Sequence, residues 1–101
     1  MDGGGAKLNV DRQRLAEICA RYGIGGLWLF GSFARGTAGA DSDVDLIYVV
    51  MPGHRLGWEI EQLSDELADL FGRPVDLVSR RALHELLRPA VLAEAQEIYA
   101  A

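Results

Sequence analysis

The sequence predicts a single α/β domain, because segments with helical periodicity alternate with short strand-like runs. The helical segments carry apolar residues at three- and four-residue spacing, and the runs between them are apolar and bounded by glycine or proline. The predicted order is α-β-α-β-α-β-α, which is typical of a sheet packed with helices. A length of 101 residues suits one domain with its own core. Residues 1–8 are predicted to form a loose tail.

The net charge and the cysteine count exclude some classes of protein and favour others. A net charge of −5, from 15 acidic and 10 basic residues, argues against a general nucleic-acid binder and is compatible with divalent cations or a basic partner. The single cysteine excludes an internal disulfide, and Cys19 is predicted to be a core thiol. The polar, glycine-rich residues 1–5 do not resemble a signal peptide, and no apolar run reaches membrane-spanning length. The expected compartment is the cytosol, with no membrane partner.

The first helix and the first strand are defined by the residues at their ends. Asp11 is a good N-cap for a helix that runs to about Tyr22, and Gly23 stops that helix. The apolar run 27–30 is bounded by glycines and therefore predicts a buried strand that ends at Gly31.

Beyond Gly31 the pattern predicts a short helix, a loop and a second strand. Ser32 is expected to cap a helix that continues through Arg35, and residues 36–40 are predicted to be a loop. The second strand is predicted over residues 43–50, where both faces become apolar after the first few positions. This strand therefore runs from a polar edge into the core.

A long amphipathic helix is predicted after the turn at Pro52-Gly53. Its apolar face consists of Leu56, Ile60, Leu63, Leu67 and Leu70. Gly72 and Pro74 end the helix, and residues 75–78 are predicted to be the third strand.

The C-terminal part is predicted to be helical, with a short strand at its end. Residues 82–88 and about 90–95 are predicted to be helices separated by Pro89, which cannot continue a helix interior. Ile98 and Tyr99 are predicted to form a last short strand.

Asp43 and Asp45 are the first candidates for chemistry. In a strand, residues two apart point to the same side, so the two carboxylates stand together. Like charges at that distance raise each other's pKa unless a cation lies between them, and Mg²⁺ prefers such oxygen ligands. An isolated pattern of this kind is often only a solvated acidic loop. The apolar run that follows places the pair at the start of a buried strand, which favours a functional site.

Gly31 and Ser32 form a candidate phosphate site. A glycine after a strand lets the backbone approach a phosphate closely, and N–H groups at a helix start favour anions. Ser32 adds a hydroxyl donor, and Arg35 adds positive charge. The alternative is an ordinary turn with an N-cap, which is the favoured interpretation for an isolated Gly-Ser pair.

Asp76 is the third candidate carboxylate. It stands between two apolar residues of a predicted strand, where an unpaired buried carboxylate is costly. The alternative is an edge aspartate paired with Arg73 or Arg80. If the third strand lies beside the second, Asp76 joins Asp43 and Asp45 in one site. Two metal ions there can activate a hydroxyl and neutralise phosphate charge.

These residues in combination resemble a known family. Gly31-Ser32, ten residues, then Asp43-Val44-Asp45, with Asp76 on a later strand, resembles the DNA polymerase β-type nucleotidyltransferase superfamily. The fuller runs 31–36 and 42–46 are similar to its smallest branch, the MNT (minimal nucleotidyltransferase) proteins. The resemblance implies a compact α/β fold with a small mixed sheet, and one minimal nucleotidyltransferase domain over residues 1–101.

The resemblance also implies the ligands and the reaction. It implies ATP and two Mg²⁺ ions, in-line attack on the α-phosphate and release of pyrophosphate. Gly31 and Ser32 would contact the triphosphate, and the family does not firmly assign the nucleotide-binding role given to Arg35. Asp43 and Asp45 would coordinate both metal ions. Asp76 would coordinate one of them and help to activate the attacking hydroxyl.

Many members of the minimal branch that this chain resembles are antitoxins, which are encoded beside a HEPN-domain ribonuclease toxin. The resemblance therefore implies transfer of AMP to a tyrosine of such a partner. Two alternatives remain: an antitoxin that neutralises the toxin by binding alone, and a transferase that modifies a small molecule. A homo-oligomer and a hetero-oligomer both remain open.

Overall fold

The computed structural model describes residues 10–83 and 88–101. The predicted tail at residues 1–8 and most of the predicted helix 82–88 lie outside the described residues. The described part of that helix differs from the prediction, because residues 80–82 form a short 3₁₀ turn.

A four-stranded mixed sheet forms the centre of the fold. Its strands are β1 (Ile24–Phe30), β2 (Val44–Val50), β3 (Val75–Ser79) and β4 (Gln96–Ala100). They lie side by side in the order β3-β2-β1-β4. β1 is antiparallel to β2 and to β4, whereas β2 and β3 run parallel. The predicted mixed sheet is confirmed.

The helices alternate with the strands as predicted. They are α1 (Arg12–Arg21), α2 (Ser32–Arg35), α3 (Ile60–Phe71) and α4 (Arg88–Glu94). Asp11 caps α1 as expected, since its carboxylate accepts a hydrogen bond from the backbone N–H of Arg14 at 3.1 Å. In the part of the chain that the structure describes, every helix is too short to cross a membrane.

α1 and α3 bury their apolar stripes against one face of the sheet. This core includes Leu15, Ile18, Cys19, Leu27, Leu29, Val44, Leu46, Leu63 and Leu67. Burial raises the pKa of the Cys19 thiol to about 12, so the group stays protonated at neutral pH. The predicted role of Cys19 as a core thiol is confirmed.

The opposite face of the sheet carries the residues of the other parity. Ile47 is fully buried there and lies in register with Trp28 on β1 and Val78 on β3. The guanidinium of Arg80 lies over the ring of Trp28, 5.3 Å from its centroid. We call this surface the open face to distinguish it from the side that α1 and α3 cover, although Ile47 on it is buried.

The prediction for the start of the first strand is wrong by three residues. β1 begins at Ile24, which pairs with Val50, so the strand includes two glycines that have low strand propensity. A Cβ at Gly26 would lie 2.7 Å from the ring of Trp28, so the aromatic side chain occupies the space that a side chain would need. Packing and pairing therefore outweigh local propensity here.

Two helix predictions also need correction. α3 begins at Ile60 instead of Leu56, and Leu56 packs on the core from the preceding loop. Pro89 lies within α4 and does not break the helix between residues 88 and 90.

Candidate active site

Asp45 and Asp76 lie directly beside each other on the open face. They are register partners in the parallel pair β2–β3, where neighbouring strands are about 4.8 Å apart. On the other side of Asp45, β1 places Phe30 in register with it. The expected adjacency of the second and third strands is confirmed. We call the part of the open face formed by Asp43, Asp45 and Asp76 the acidic edge.

Asp43 precedes β2 and does not lie within it, which differs by one residue from the prediction. It is exposed, as is Asp76, whereas Asp45 is half-buried. The backbone N–H of Val44 donates to the carbonyl of Pro74 at 2.9 Å, which ties the start of β2 to the start of β3. The three carboxylates therefore lie at the adjacent N-terminal ends of β2 and β3, which this hydrogen bond joins.

Asp45 is the electrostatic centre of the acidic edge. Burial raises the pKa of Asp45, the charges of Asp76 and Asp43 raise it further, and the charge of Arg35 opposes them. The pKa of Asp45 therefore depends on the charges of both other aspartates and of Arg35 at the end of α2.

The expected burial of Asp76 is wrong, because its side chain is exposed and its carboxylate does not carry the cost of burial. The alternative, an ion pair with Arg73 or Arg80, does not hold either. The guanidinium of Arg80 lies over Trp28, and that of Arg73 binds backbone carbonyls elsewhere. Neither arginine is its ion-pair partner.

The donor chemistry of the acidic edge suits Mg²⁺. Three carboxylates offer hard oxygen ligands, and Mg²⁺ needs few protein ligands because water and phosphate complete its shell. Among residues 10–83 and 88–101, no three Asp, Glu, His or Cys side chains converge closely enough to hold a metal ion in the conformation described. Repulsion between the carboxylates opposes such convergence.

Gly31 brings the turn after β1 against the acidic edge. Its φ is +72°, in the region that L side chains rarely adopt. A Cβ at this position would collide with the carboxylate of Asp45 and would lie 3.3 Å from its Cγ. A phosphate held by the turn would therefore lie beside the carboxylates.

The structure corrects the predicted capping role of Ser32. Gly31 occupies the N-cap, and Ser32 is the first residue of α2. Within the described ranges its hydroxyl has no hydrogen-bond partner. α2 has only 4 residues, so its dipole adds little, but its first N–H groups, those of Ser32 and Phe33, have no acceptor within the helix.

Residues 94–96 near the C-terminus contact α2 through two side-chain hydrogen bonds. The guanidinium of Arg35 donates to the carboxylate of Glu94 at 3.4 Å, and both side chains are half-exposed. The side-chain amide of Gln96 donates to the carbonyl of Ala34 at 3.0 Å. These contacts join residues about sixty positions apart, so sequence patterns gave no signal for them.

Arg73 is the positioning residue that sequence reasoning missed. One guanidinium nitrogen donates to the carbonyls of Gly39, Ala40 and Ser42, at 2.9, 3.2 and 3.0 Å. Its Cζ also lies 4.8 Å from the ring centroid of Phe33 in α2. Arg73 therefore joins the start of β3, the loop that leads to Asp43, and α2, which begins at the turn of Gly31 and Ser32. We call this turn the phosphate turn.

Comparison with known proteins identifies the family. The chain matches the nucleotidyltransferase domain family over residues 12–98. It is 37% identical to protein adenylyltransferase MntA of Thermococcus cleftensis over 78 residues, which cover 77% of this chain and 78% of that protein.

Two solved structures share the fold. A candidate minimal nucleotidyltransferase is 41% identical, with a TM-score of 0.71 over 84% of this chain and 86% of the other. A tri-AMPylated HEPN toxin of Shewanella oneidensis in complex with an MNT antitoxin matches with a TM-score of 0.62 at 17% identity, over 89% of this chain and 70% of the other. The acidic edge, the phosphate turn and these similarities agree, and the chain belongs to the nucleotidyltransferase domain family, in its minimal (MNT) branch.

Proposed function

We propose that this chain transfers AMP from ATP to a tyrosine hydroxyl of a partner HEPN-domain toxin. The chain thereby acts as the antitoxin of that protein. The observation that carries the proposal is the contact between the phosphate turn and the acidic edge, where Gly31 lies against Asp45 and Asp76 is in register with it. The name of the Thermococcus relative supports AMP transfer to protein, and the AMPylated HEPN toxin supports the class of acceptor.

Gly31 and Ser32 are proposed to hold the triphosphate. Gly31 brings the turn close to the Asp45 carboxylate, and beside it the free hydroxyl and N–H groups of Ser32 donate to phosphate oxygens. Arg35 adds positive charge near the acidic edge, where burial and the charges of Asp76 and Asp43 raise the pKa of Asp45 and the charge of Arg35 partly opposes them. Catalysis then depends mainly on positioning and charge neutralisation.

Asp43, Asp45 and Asp76 are proposed to hold two Mg²⁺ ions. Bound Mg²⁺ supplies positive charge to the transferring phosphoryl group and lowers the pKa of the attacking hydroxyl. Asp45 is the least exposed of the three carboxylates, and β2 fixes its position in the site. Asp76 is the exposed carboxylate of the register pair, and it is proposed to receive the proton of the acceptor hydroxyl.

Residues 1–101 are proposed to form one minimal nucleotidyltransferase domain. Its described part contains one four-stranded sheet, with α1 and α3 packed on one face.

The test is the intact mass of the HEPN protein encoded beside this chain, after incubation with the chain, ATP and Mg²⁺. We expect a gain of one or more AMP units. The double variant Asp43→Asn, Asp45→Asn should transfer nothing, because it loses two of the three carboxylates. The matched control Asp65→Asn, Asp69→Asn makes the same charge change on the exposed side of α3 and should transfer normally. No mass gain with the wild-type chain would refute AMP transfer.

A cell-protection assay separates transfer from neutralisation by binding. If transfer neutralises the toxin, cells that express the Asp43/Asp45 double variant at the normal level should lose protection. Full protection by that variant would show that binding alone is sufficient.

A further inference from the structure

A groove of about 310 Å³ lies at the end of the sheet away from the acidic edge. Its lining consists of Tyr48, Val50, His54, Arg55, Leu56, Ser79 and Arg81. Tyr48 and Ser79 are register partners, each three residues beyond Asp45 and Asp76, which is about 10 Å along the strands. Strand alternation also directs these two side chains to the face opposite the carboxylates. The groove is therefore separate from the proposed active site.

Two arginines of the groove are unpaired. Within residues 10–83 and 88–101, the guanidinium groups of Arg55 and Arg81 have neither an ion pair nor a hydrogen bond. Other arginines are engaged: Arg21 pairs with Glu66 at 2.9 Å, and Arg73 binds three carbonyls. In a chain with a net charge of −5, two free guanidinium groups in one groove form a local positive site.

The loop that forms one wall of the groove also exposes apolar side chains. Trp58 is 78% exposed and Met51 is 38% exposed, and these are the large hydrophobic side chains found exposed in the described part of the chain. Both flank Arg55 in the same loop. Tryptophan, methionine and arginine are enriched in the buried centres of protein interfaces.

We propose that this surface, formed by Met51, Arg55, Trp58 and Arg81, docks an acidic segment of the acceptor protein. The proposal rests on the proposed function for the identity of that protein. Carboxylates of the segment bind the two guanidinium groups, for which bidentate geometry is favourable, and an apolar side chain packs on Trp58. Nucleic acid is disfavoured, because its binding needs many cationic contacts and this chain is acidic overall.

The position of the surface suits an enzyme with two substrates. An acceptor docked on the groove leaves the phosphate turn and the acidic edge accessible, so ATP and the acceptor are bound together. Docking at this distance contributes equally to the ground state and the transition state, and it therefore lowers KM for the acceptor without changing kcat.

The first test reverses both charges with Arg55→Glu, Arg81→Glu. The HEPN protein encoded beside this chain is the probe, and its Kd is measured by calorimetry at low and at moderate salt. We expect Kd to rise about 10-fold or more, with a weaker salt dependence. Binding of ATP with Mg²⁺ and kcat at saturating acceptor should not change. The matched control Arg12→Glu, Arg14→Glu makes the same charge change on α1 and should alter Kd by about twofold or less.

The second test does not depend on the charge reversal being tolerated. Trp58→Ser removes an exposed side chain, so the core is unaffected, and we expect a rise in Kd of about 10-fold or more. A Kd within about twofold of wild type for this variant and for the charge reversal overturns the proposal. It is also overturned if the isolated chain is a dimer that the charge reversal dissociates while affinity for the HEPN protein is unchanged, since the occupant is then a second copy.

The two proposals fail in different ways. A wild-type chain that binds the HEPN protein through this surface but never transfers AMP refutes the proposed function and leaves the docking surface intact. A chain that transfers AMP with equal KM in the wild type and in the groove variants refutes the docking surface alone.

Discussion

Gly31 and Gly36 have nearly the same φ, +72° and +75°, but different surroundings. A Cβ at Gly36 would have no neighbour within 4 Å, whereas a Cβ at Gly31 would collide with the carboxylate of Asp45. Alanine variants at the two positions therefore separate two free-energy costs. Backbone strain is present at both positions, whereas a collision with Asp45 is present at Gly31 and absent at Gly36.

Replacing each glycine by alanine tests this difference. Gly36→Ala should reduce the free energy of unfolding by about 1 kcal/mol, from backbone strain alone. Gly31→Ala should reduce it by about 2–3 kcal/mol and should abolish most AMP transfer, because Asp45 must move. Urea unfolding and the intact-mass assay measure the two effects. Equal stability losses in the two variants would argue against the close approach.

The raised pKa of Asp45 predicts how stability depends on pH. Because the folded state binds the Asp45 proton more tightly than the unfolded state, this group reduces stability as pH rises from the acid range to neutral. Asp45→Asn should therefore be more stable than wild type at pH 7, with the difference disappearing at about pH 3, below the ordinary range of aspartate.

Urea unfolding at a series of pH values measures that difference, with Asp65→Asn on the exposed side of α3 as the control. A variant less stable than wild type at pH 7 would contradict the inferred destabilisation. The expected result means that the active site reduces the stability of the sheet that carries it.

At the scale of the elements, Arg73 links three segments that are far apart in sequence. It follows α3, binds the loop at 39–42 and covers Phe33 of α2. The position of Asp43 depends on this loop, because Asp43 itself lies outside β2. Arg73 is therefore expected to affect activity without contacting the substrate.

Arg73→Met keeps apolar contact with Phe33 and removes the donors. We expect a loss of about 1–2 kcal/mol in stability and faster hydrogen exchange at residues 36–43. kcat should fall more than the affinity for ATP, whereas Arg73→Lys should retain part of the activity. Unchanged exchange in residues 36–43 would show that the three hydrogen bonds do not order the loop.

The same elements show what the sequence can and cannot predict. The periodicity of α3 and the apolar runs of β2 and β3 predicted their types. The common face of Asp43 and Asp45 stays a prediction, because Asp43 precedes β2. The start of β1 was missed because pairing with β2 overrides the low strand propensity of glycine. The bonds of Arg73 and Gln96 were missed because they join distant residues, which leave no local pattern.

At the scale of the whole molecule, the acidic edge brings three of the 15 acidic residues together in a chain with a net charge of −5, and they repel one another. Mg²⁺ bound there should therefore stabilise the fold. At ten times its Kd, a ligand contributes about 1.4 kcal/mol, which corresponds to a rise in Tm of roughly 6–11 °C for a domain of this size. The double variant Asp43→Asn, Asp45→Asn should lose most of this shift.

Thermal unfolding with increasing Mg²⁺ tests that expectation without any acceptor. The Asp65→Asn, Asp69→Asn variant is again the matched control, because its carboxylates are exposed on α3, which packs on the opposite face of the sheet. Equal shifts in wild type and in the Asp43/Asp45 variant would mean that Mg²⁺ acts elsewhere on the chain.

The parallel register of β2 and β3 also restricts how the length of this chain can change in evolution. Side chains alternate between the faces, so one residue inserted between Pro74 and Asp76 would turn the Asp76 carboxylate towards the core. Insertions of two residues would restore its face. Among active homologues we therefore expect insertions and deletions to be excluded or paired at this point.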